Sequence, residues 1–189
     1  MPEGRLVRAQ GVFLIGYRGS GKTSVGRRLA GRWGSAFVDT DRRIEELAQQ
    51  TITSIFATLG EARFRELEEA AVAEVTARAL AGECVVAATG GGVVLRSINV
   101  ERLRASGQTV WLRASIEDLR ARIAADPRSS RDRPALAGAS AVDEVGALLA
   151  VRTPLYERAA QHVVDTSGLS IEDVVRRVEQ AVGGGATVR

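Results

Sequence analysis

The octet GYRGSGKT, residues 16–23, sets Gly16, Gly19 and Gly21 ahead of Lys22 and Thr23. It follows the apolar run Val12-Phe13-Leu14-Ile15 and precedes a segment of helical period that begins at Ser24. Gly-x4-Gly-Lys-Thr between a strand and a helix is the pattern in which successive backbone N–H groups curl around phosphate oxygens. The positive end of the following helix adds a favourable field. Gly19, Ser20, Gly21, Lys22, Thr23 and Ser24 are therefore expected to hold a nucleoside triphosphate, with Lys22 at the β- and γ-phosphates and the Thr23 hydroxyl at Mg²⁺. Lys22 is the only lysine among 26 basic residues. A compact ammonium suits such a nest, whereas a planar guanidinium fork on a longer stem fits it poorly. A dinucleotide-binding alternative has an acid in its favour, Asp39 or Asp41, about 20 residues onward. The glycine spacing, G-x-x-G-x-G, speaks for the triphosphate class.

The phosphate nest does not name the group that receives a phosphoryl. In open α/β sheets ligands bind beyond the carboxyl ends of the strands, so polar residues following other apolar runs are the next candidates. FVDTD places Asp39 and Asp41 after residues 36–38. Helix N-capping is the competing role for either acid. Beside a phosphate nest, one carboxylate could instead serve Mg²⁺ through water while the other accepts a hydrogen bond from an alcohol. ATGGGVV places Gly90, Gly91 and Gly92 after residues 84–88, where the absence of side chains permits close approach of a small ligand. Arg65, Arg133 and Arg152 stand in GEARFREL, RDRPAL and VRTPLYE. Taken singly, each has surface solvation as its competing role.

The elements that must position these residues are legible as apolar runs at 12–16, 36–38, 84–88, 109–112 and 162–164, separated by segments of helical period. Helical spacing joins Ile44, Leu47 and Ala48, then Phe64, Leu67, Ala71 and Val75, and later Val174, Val175 and Val178. Five buried strands alternating with helices predict an α/β fold, a five-stranded parallel sheet flanked by helices on both faces. At 189 residues and 45% apolar content, the chain is expected to form one domain over residues 1–189. The polar segment 124–140 is expected to be a lid, and the glycine-rich tail 183–189 to fray.

Arginines alternate with glutamates in RRIEELAQQ and ARFRELEEA, and the net charge is only +3. This reads as solvated helix faces bearing ion pairs and argues against nucleic acid as a partner. No run reaches the roughly 18 apolar residues of a membrane span, and the N-terminus lacks the apolar core of a signal peptide. A cytoplasmic monomer with no membrane partner is the expectation. The lone Cys84 is expected to be a small buried hydrophobe, and the lone His162 to be structural, not a metal ligand.

Taken in order, GYRGSGKTSVGRRLA, FVDTDRRIEE, IFATLGEARFRELEE, ATGGGVV, RDRPAL and VRTPLYERAAQHVVDTS resemble the shikimate kinase family over roughly residues 11–180. The resemblance implies a P-loop kinase fold and transfer of the γ-phosphoryl of ATP to the 3-hydroxyl of shikimate, a step towards aromatic amino acids. It implies that Lys22 and Thr23 serve ATP and Mg²⁺, that Asp39 assists at the metal through water, and that Asp41 binds shikimate hydroxyls and is the candidate base. Arg65 and Arg152 would clamp the shikimate carboxylate, with Gly90, Gly91 and Gly92 lining the same pocket. Arg133 would come from the lid to the phosphates as a catalytic charge. The chain departs from the family in a longer lid, with Arg122, Arg128 and Arg131 near Arg133. It departs again in TSGLSIED at 166–173, which lacks the arginine and proline of the family's adenine loop. Which arginine meets adenine therefore stays open, as does nucleotide preference. Two other functions fit the P-loop: a kinase of another small metabolite, such as gluconate or a nucleoside monophosphate, and a nucleotide-binding regulatory module that transfers nothing.

Overall fold

The computed structural model describes residues 11–126 and 144–183. Five strands pair in parallel in the order β2-β3-β1-β4-β5: β1 Gly11–Ile15, β2 Ala36–Asp39, β3 Val85–Ala88, β4 Gln108–Arg113 and β5 His162–Asp165. The register levels their carboxyl ends, since Asp39 lies opposite Ala88, Leu14 opposite Ala88 and Ile15 opposite Trp111. The segments that follow β1, β2 and β3 thus emerge along one edge, and they contain the P-loop, the paired aspartates and the glycine triplet.

Alternation along the strands splits the core into two layers. Phe13, Ile15, Val85, Ala87 and Trp111 face one side and pack with Val72, Val75, Leu103 and Tyr156. These partners come from α4 (Gly60–Leu80), α5 (Ser97–Ser106) and α7 (Glu144–Ala159). Val12, Leu14, Val86, Val110, Leu112 and Val164 face the other side and pack on α1 (Lys22–Trp33) and α8 (Ile171–Gly183). A third cluster joins Ile44 of α2 (Thr40–Ala48) and Ile52 and Ile55 of α3 (Ile52–Thr58) to Phe64 and Leu67 of α4. A fourth seats Tyr17 against Leu119 and Ile123 of α6 (Ile116–Ala125) and Val145 of α7.

The expected parallel sheet with helices on both faces is present, with several local corrections. Full burial holds for β1, β3 and the interior of β4, but β2 is half-buried throughout and Val163 of β5 is exposed. These two strands close the sheet at its edges, where one flank has no neighbouring strand. Leu47 is exposed because α2 packs on α3 and α4 through Ile44 and Ala48, a narrower stripe than a sheet-covering helix needs. Cys84 is exposed and not a core residue: β3 begins one residue later, at Val85. His162 lies at the opposite end of β5 from the site, its Nε2 2.8 Å from Gln108 Oε1. Ala124 and Ala125, expected to start the lid, belong to α6, and Gly183 closes α8. The rest of the expected lid beyond Asp126, Arg133 included, and the tail beyond Gly183 lie outside the described residues. Among the described residues, no helix is long and apolar enough to cross a membrane.

Leu14 is fully buried in the central strand, whereas Val163 is 49% exposed at an edge. Leu14→Ala should therefore cost about 2–5 kcal/mol in urea unfolding, and Val163→Ala about 1 kcal/mol or less.

Candidate active site

The P-loop bends through residues that only glycine adopts freely, Gly19 at φ 82° and Gly21 at φ 92°. Gly21 is the N-cap of α1 and has no side chain, so the first turn carries no side-chain cap. A cleft of about 770 Å³ opens over the nest. Its walls include Ser20, Lys22 and Thr23, then Asp39, Asp41 and Gly91 on one side and Arg122 and Thr166 on the other. Lys22 is buried, and its Nζ donates to the carbonyls of Gly16 and Tyr17, each at 2.8 Å. It lies back along its own loop and reaches Ser20 Oγ at 3.5 Å.

The two aspartates divide their work as their positions in α2 dictate. Asp39 is the N-cap, its Oδ1 accepting from the N–H groups of Asp41 at 3.1 Å and Arg42 at 3.4 Å. Its Oδ2 accepts from Thr23 Oγ1 at 2.8 Å. The capping role left open for Asp41 thus falls to Asp39. Asp41 stands in the first turn with its carboxylate against the glycine turn, where a Cβ on Gly90 would lie 2.6 Å from Asp41 Oδ1. Thr40, between them and fully buried, accepts from the Gly90 N–H at 3.1 Å.

Arg65 projects from α4 onto the same turn, and a Cβ on Gly92 would lie 2.6 Å from its Nη1. It is a half-buried arginine, its side chain 11% exposed, and Nη1 donates to Glu68 Oε2 at 2.9 Å. Nη2 donates to Glu61 Oε1 at 2.9 Å. Burial would lower the Arg65 pKa, but the charge and hydrogen bond of Glu68, with help from Glu61, outweigh it and hold the guanidinium above its ordinary value. Arg152 projects from α7, with its guanidinium carbon 5.7 Å from the centre of the Tyr17 ring. Beside Tyr17, Gly16 and Arg18 abut Gly91, where an added Cβ would meet Gly16 O at 3.5 Å and Arg18 N at 3.4 Å. Asp41 and Arg65 therefore share one glycine turn, and Arg152 stands on the P-loop segment that the turn touches. Asp41 and Gly91 line the large cleft itself; Arg65 and Arg152 are set back from its walls.

Several residues went unassigned in the sequence. Glu68 is fully buried and ion-paired, and its only signal is the i, i+3 spacing from Arg65. Arg122, in the last turn of α6, bridges the P-loop and the segment after β5: Nη1 donates to Thr166 Oγ1 at 3.1 Å and Nη2 to Thr166 O at 3.0 Å. Nη1 also lies 3.5 Å from Gly19 O. Tyr156, one turn from Arg152, donates to Gly91 O at 2.6 Å.

Among the described residues, no group of three or more His, Cys, Asp or Glu side chains could cage a metal. The hydroxyl of Thr23 and the carboxylate of Asp39 instead make a sparse set of hard oxygen donors beside the nest. That set fits Mg²⁺, which takes most of its ligands from water and substrate phosphates.

A family model described as shikimate kinase matches residues 18–183. The chain belongs to the shikimate kinase family. It is 46% identical over 167 residues to the shikimate kinase of Symbiobacterium thermophilum, covering 88% of this chain and 92% of that one. It is 45% identical over 153 residues to the shikimate kinase of Nitratidesulfovibrio vulgaris, covering 81% of this chain and 85% of that one. The solved shikimate kinase from Acinetobacter baumannii in complex with shikimate superposes with a TM-score of 0.85 at 32% identity, covering 95% of each chain. Membership places the chain among ATP-dependent kinases with the P-loop kinase fold.

The contact at Gly92 is with the far end of a flexible side chain, and its φ of −97° suits any residue. Gly92→Ala should therefore fold with a stability loss of only about 1 kcal/mol while displacing the Arg65 guanidinium. Urea unfolding and a crystal structure of the variant would check both halves.

Proposed function

We propose that the chain transfers the γ-phosphoryl of ATP to the 3-hydroxyl of shikimate. The observation that carries this reading is the meeting of Asp41 and Arg65 on one glycine turn beside the phosphate nest. Shikimate offers a planar carboxylate and a row of hydroxyls, and these need a guanidinium fork and a carboxylate acceptor side by side. In this reading Arg65 and Arg152 hold the substrate carboxylate, and Gly90, Gly91 and Gly92 let the ring approach the backbone. Asp41 accepts a hydrogen bond from the reacting hydroxyl, aligns it towards the γ-phosphorus and receives its proton as the bond forms.

On the nucleotide side, the N–H groups of residues 19–24 surround the phosphates, and Lys22 exchanges the carbonyls of its own loop for phosphate oxygens. Phosphoryl transfer depends on positioning and charge neutralisation more than on covalent help, so the Lys22 ammonium is placed where charge gathers in the transition state. Thr23, with Asp39 acting through water, would hold Mg²⁺, which supplies further neutralisation of the phosphates when bound. Arg122 and Thr166 flank the far end of the cleft, where the base would lie. We read residues 1–189 as one kinase domain, a cytoplasmic monomer, in which the segment expected as a lid at 124–140, apart from Ala124 and Ala125 in α6, brings Arg133 to the phosphates and excludes water.

A coupled assay of ATP consumption tests the substrate. Turnover that depends on shikimate is expected; turnover with gluconate or a nucleoside monophosphate in its place would overturn the assignment. Lys22→Ala should lower kcat by about 10² or more. Arg152→Ala should raise the shikimate KM by a factor corresponding to about 1.5–3 kcal/mol, and an unchanged KM would remove Arg152 from the clamp.

A further inference from the structure

The three carbonyls of the glycine turn are satisfied in different ways. Gly90 O accepts from Val93 N at 3.2 Å and Gly92 O from Leu95 N at 2.9 Å, both local bonds that any tight turn could make. Gly91 O, between them, accepts from the hydroxyl of Tyr156, 65 residues onward in α7. Tyr156 is fully buried, and its ring stacks on Trp111 of β4 with centroids 5.6 Å apart. The ring thus has a fixed seat in the core, and its hydroxyl is the one polar atom extending from that seat to the turn.

Arg152 precedes Tyr156 by four residues, one helical turn, so the two side chains leave the same face of α7. Fixing Tyr156 against Gly91 fixes the rotation of α7 and with it the point from which Arg152 reaches towards Tyr17. At its other end the bond fixes Gly91, whose neighbours Gly90 and Gly92 lie against Asp41 and Arg65. We propose that Tyr156 is a positioning residue for the acceptor: its hydroxyl ties the helix bearing Arg152 to the turn that receives Asp41 and Arg65, setting the distance between the two halves of the carboxylate clamp. The proposal rests on the shikimate reading of that site.

Its chemistry predicts selectivity. The Tyr156 hydroxyl bonds the turn against which Asp41 and Arg65 lie, so its loss should loosen acceptor binding more than ATP binding. The test is Tyr156→Phe in the full chain, which keeps the ring and the stack on Trp111. The expected result is a rise of about fivefold to tenfold in the shikimate KM, the span of one lost buried hydrogen bond, with the ATP KM within about twofold of wild type. A double-mutant cycle with Arg152→Ala gives the second readout. If Tyr156 acts through Arg152, its removal in the Arg152→Ala background should raise the shikimate KM by much less. A lower melting temperature with both KM values unchanged would mean that Tyr156 is only structural and would overturn the proposal, as would full additivity in the cycle. Should Tyr156→Phe fail to fold, Thr40→Val, which releases the same turn at the Gly90 N–H, must raise the shikimate KM alone, and an unchanged value there would overturn it. If the wild-type chain shows no shikimate dependence, the function assignment itself fails and the proposal falls with it.

Discussion

Asp41 and Arg65, oppositely charged and drawn from different helices, lie against the backbone of the same three-glycine turn, and the absence of side chains there is what lets them do so. A Cβ at Gly90 or Gly92 would stand 2.6 Å from a carboxylate or guanidinium atom, well inside any real contact. The rest of the site is arranged around this steric permission. The sheet register delivers the turn to the edge that holds the P-loop, Thr40 holds its first N–H, and α4 places Arg65 over its last residue. Charge balance follows from the same packing. Arg65 can be largely withdrawn from solvent because Glu68, itself fully buried, sits one turn away and supplies the opposite charge.

The nucleotide half obeys a different constraint. Its N–H groups are set by the backbone conformation of the loop, and Lys22 donates to carbonyls of that same loop. A buried ammonium without acceptors would be costly, and the carbonyls of Gly16 and Tyr17 remove that cost. In the proposed reading, triphosphate competes with these neutral acceptors through its full negative charge.

Much of this was legible in the sequence wherever the signal is local. The P-loop is contiguous, and the central strands announce themselves as apolar runs because both their faces are covered. The edge strands read as equally buried, since a short run such as AFV carries no mark of having a neighbour on one side only. Asp39 and Asp41 could be paired but not ranked: which one caps α2 depends on where the helix begins, a boundary that one residue decides. Arg65 was hardest to separate from surface arginines. Its glutamate neighbours at i−4 and i+3 make the same pattern as the exposed pairs Arg42–Glu46 and Arg63–Glu66. Only the tertiary contact with Gly92 distinguishes it. The partner of Tyr156 is a backbone carbonyl, and every residue has one, so no residue type could have pointed to it.

The single lysine has a practical side as well. Apart from the α-amino group, the chain presents amine-reactive reagents with one nitrogen, Lys22 Nζ, and that nitrogen sits in the phosphate nest. Carbamylation, acylation or surface coupling through side-chain amines would find no harmless target along the polypeptide. Any such treatment that modified Lys22 would label the phosphate nest, and in the proposed reading a bound nucleotide would act as the shield against it.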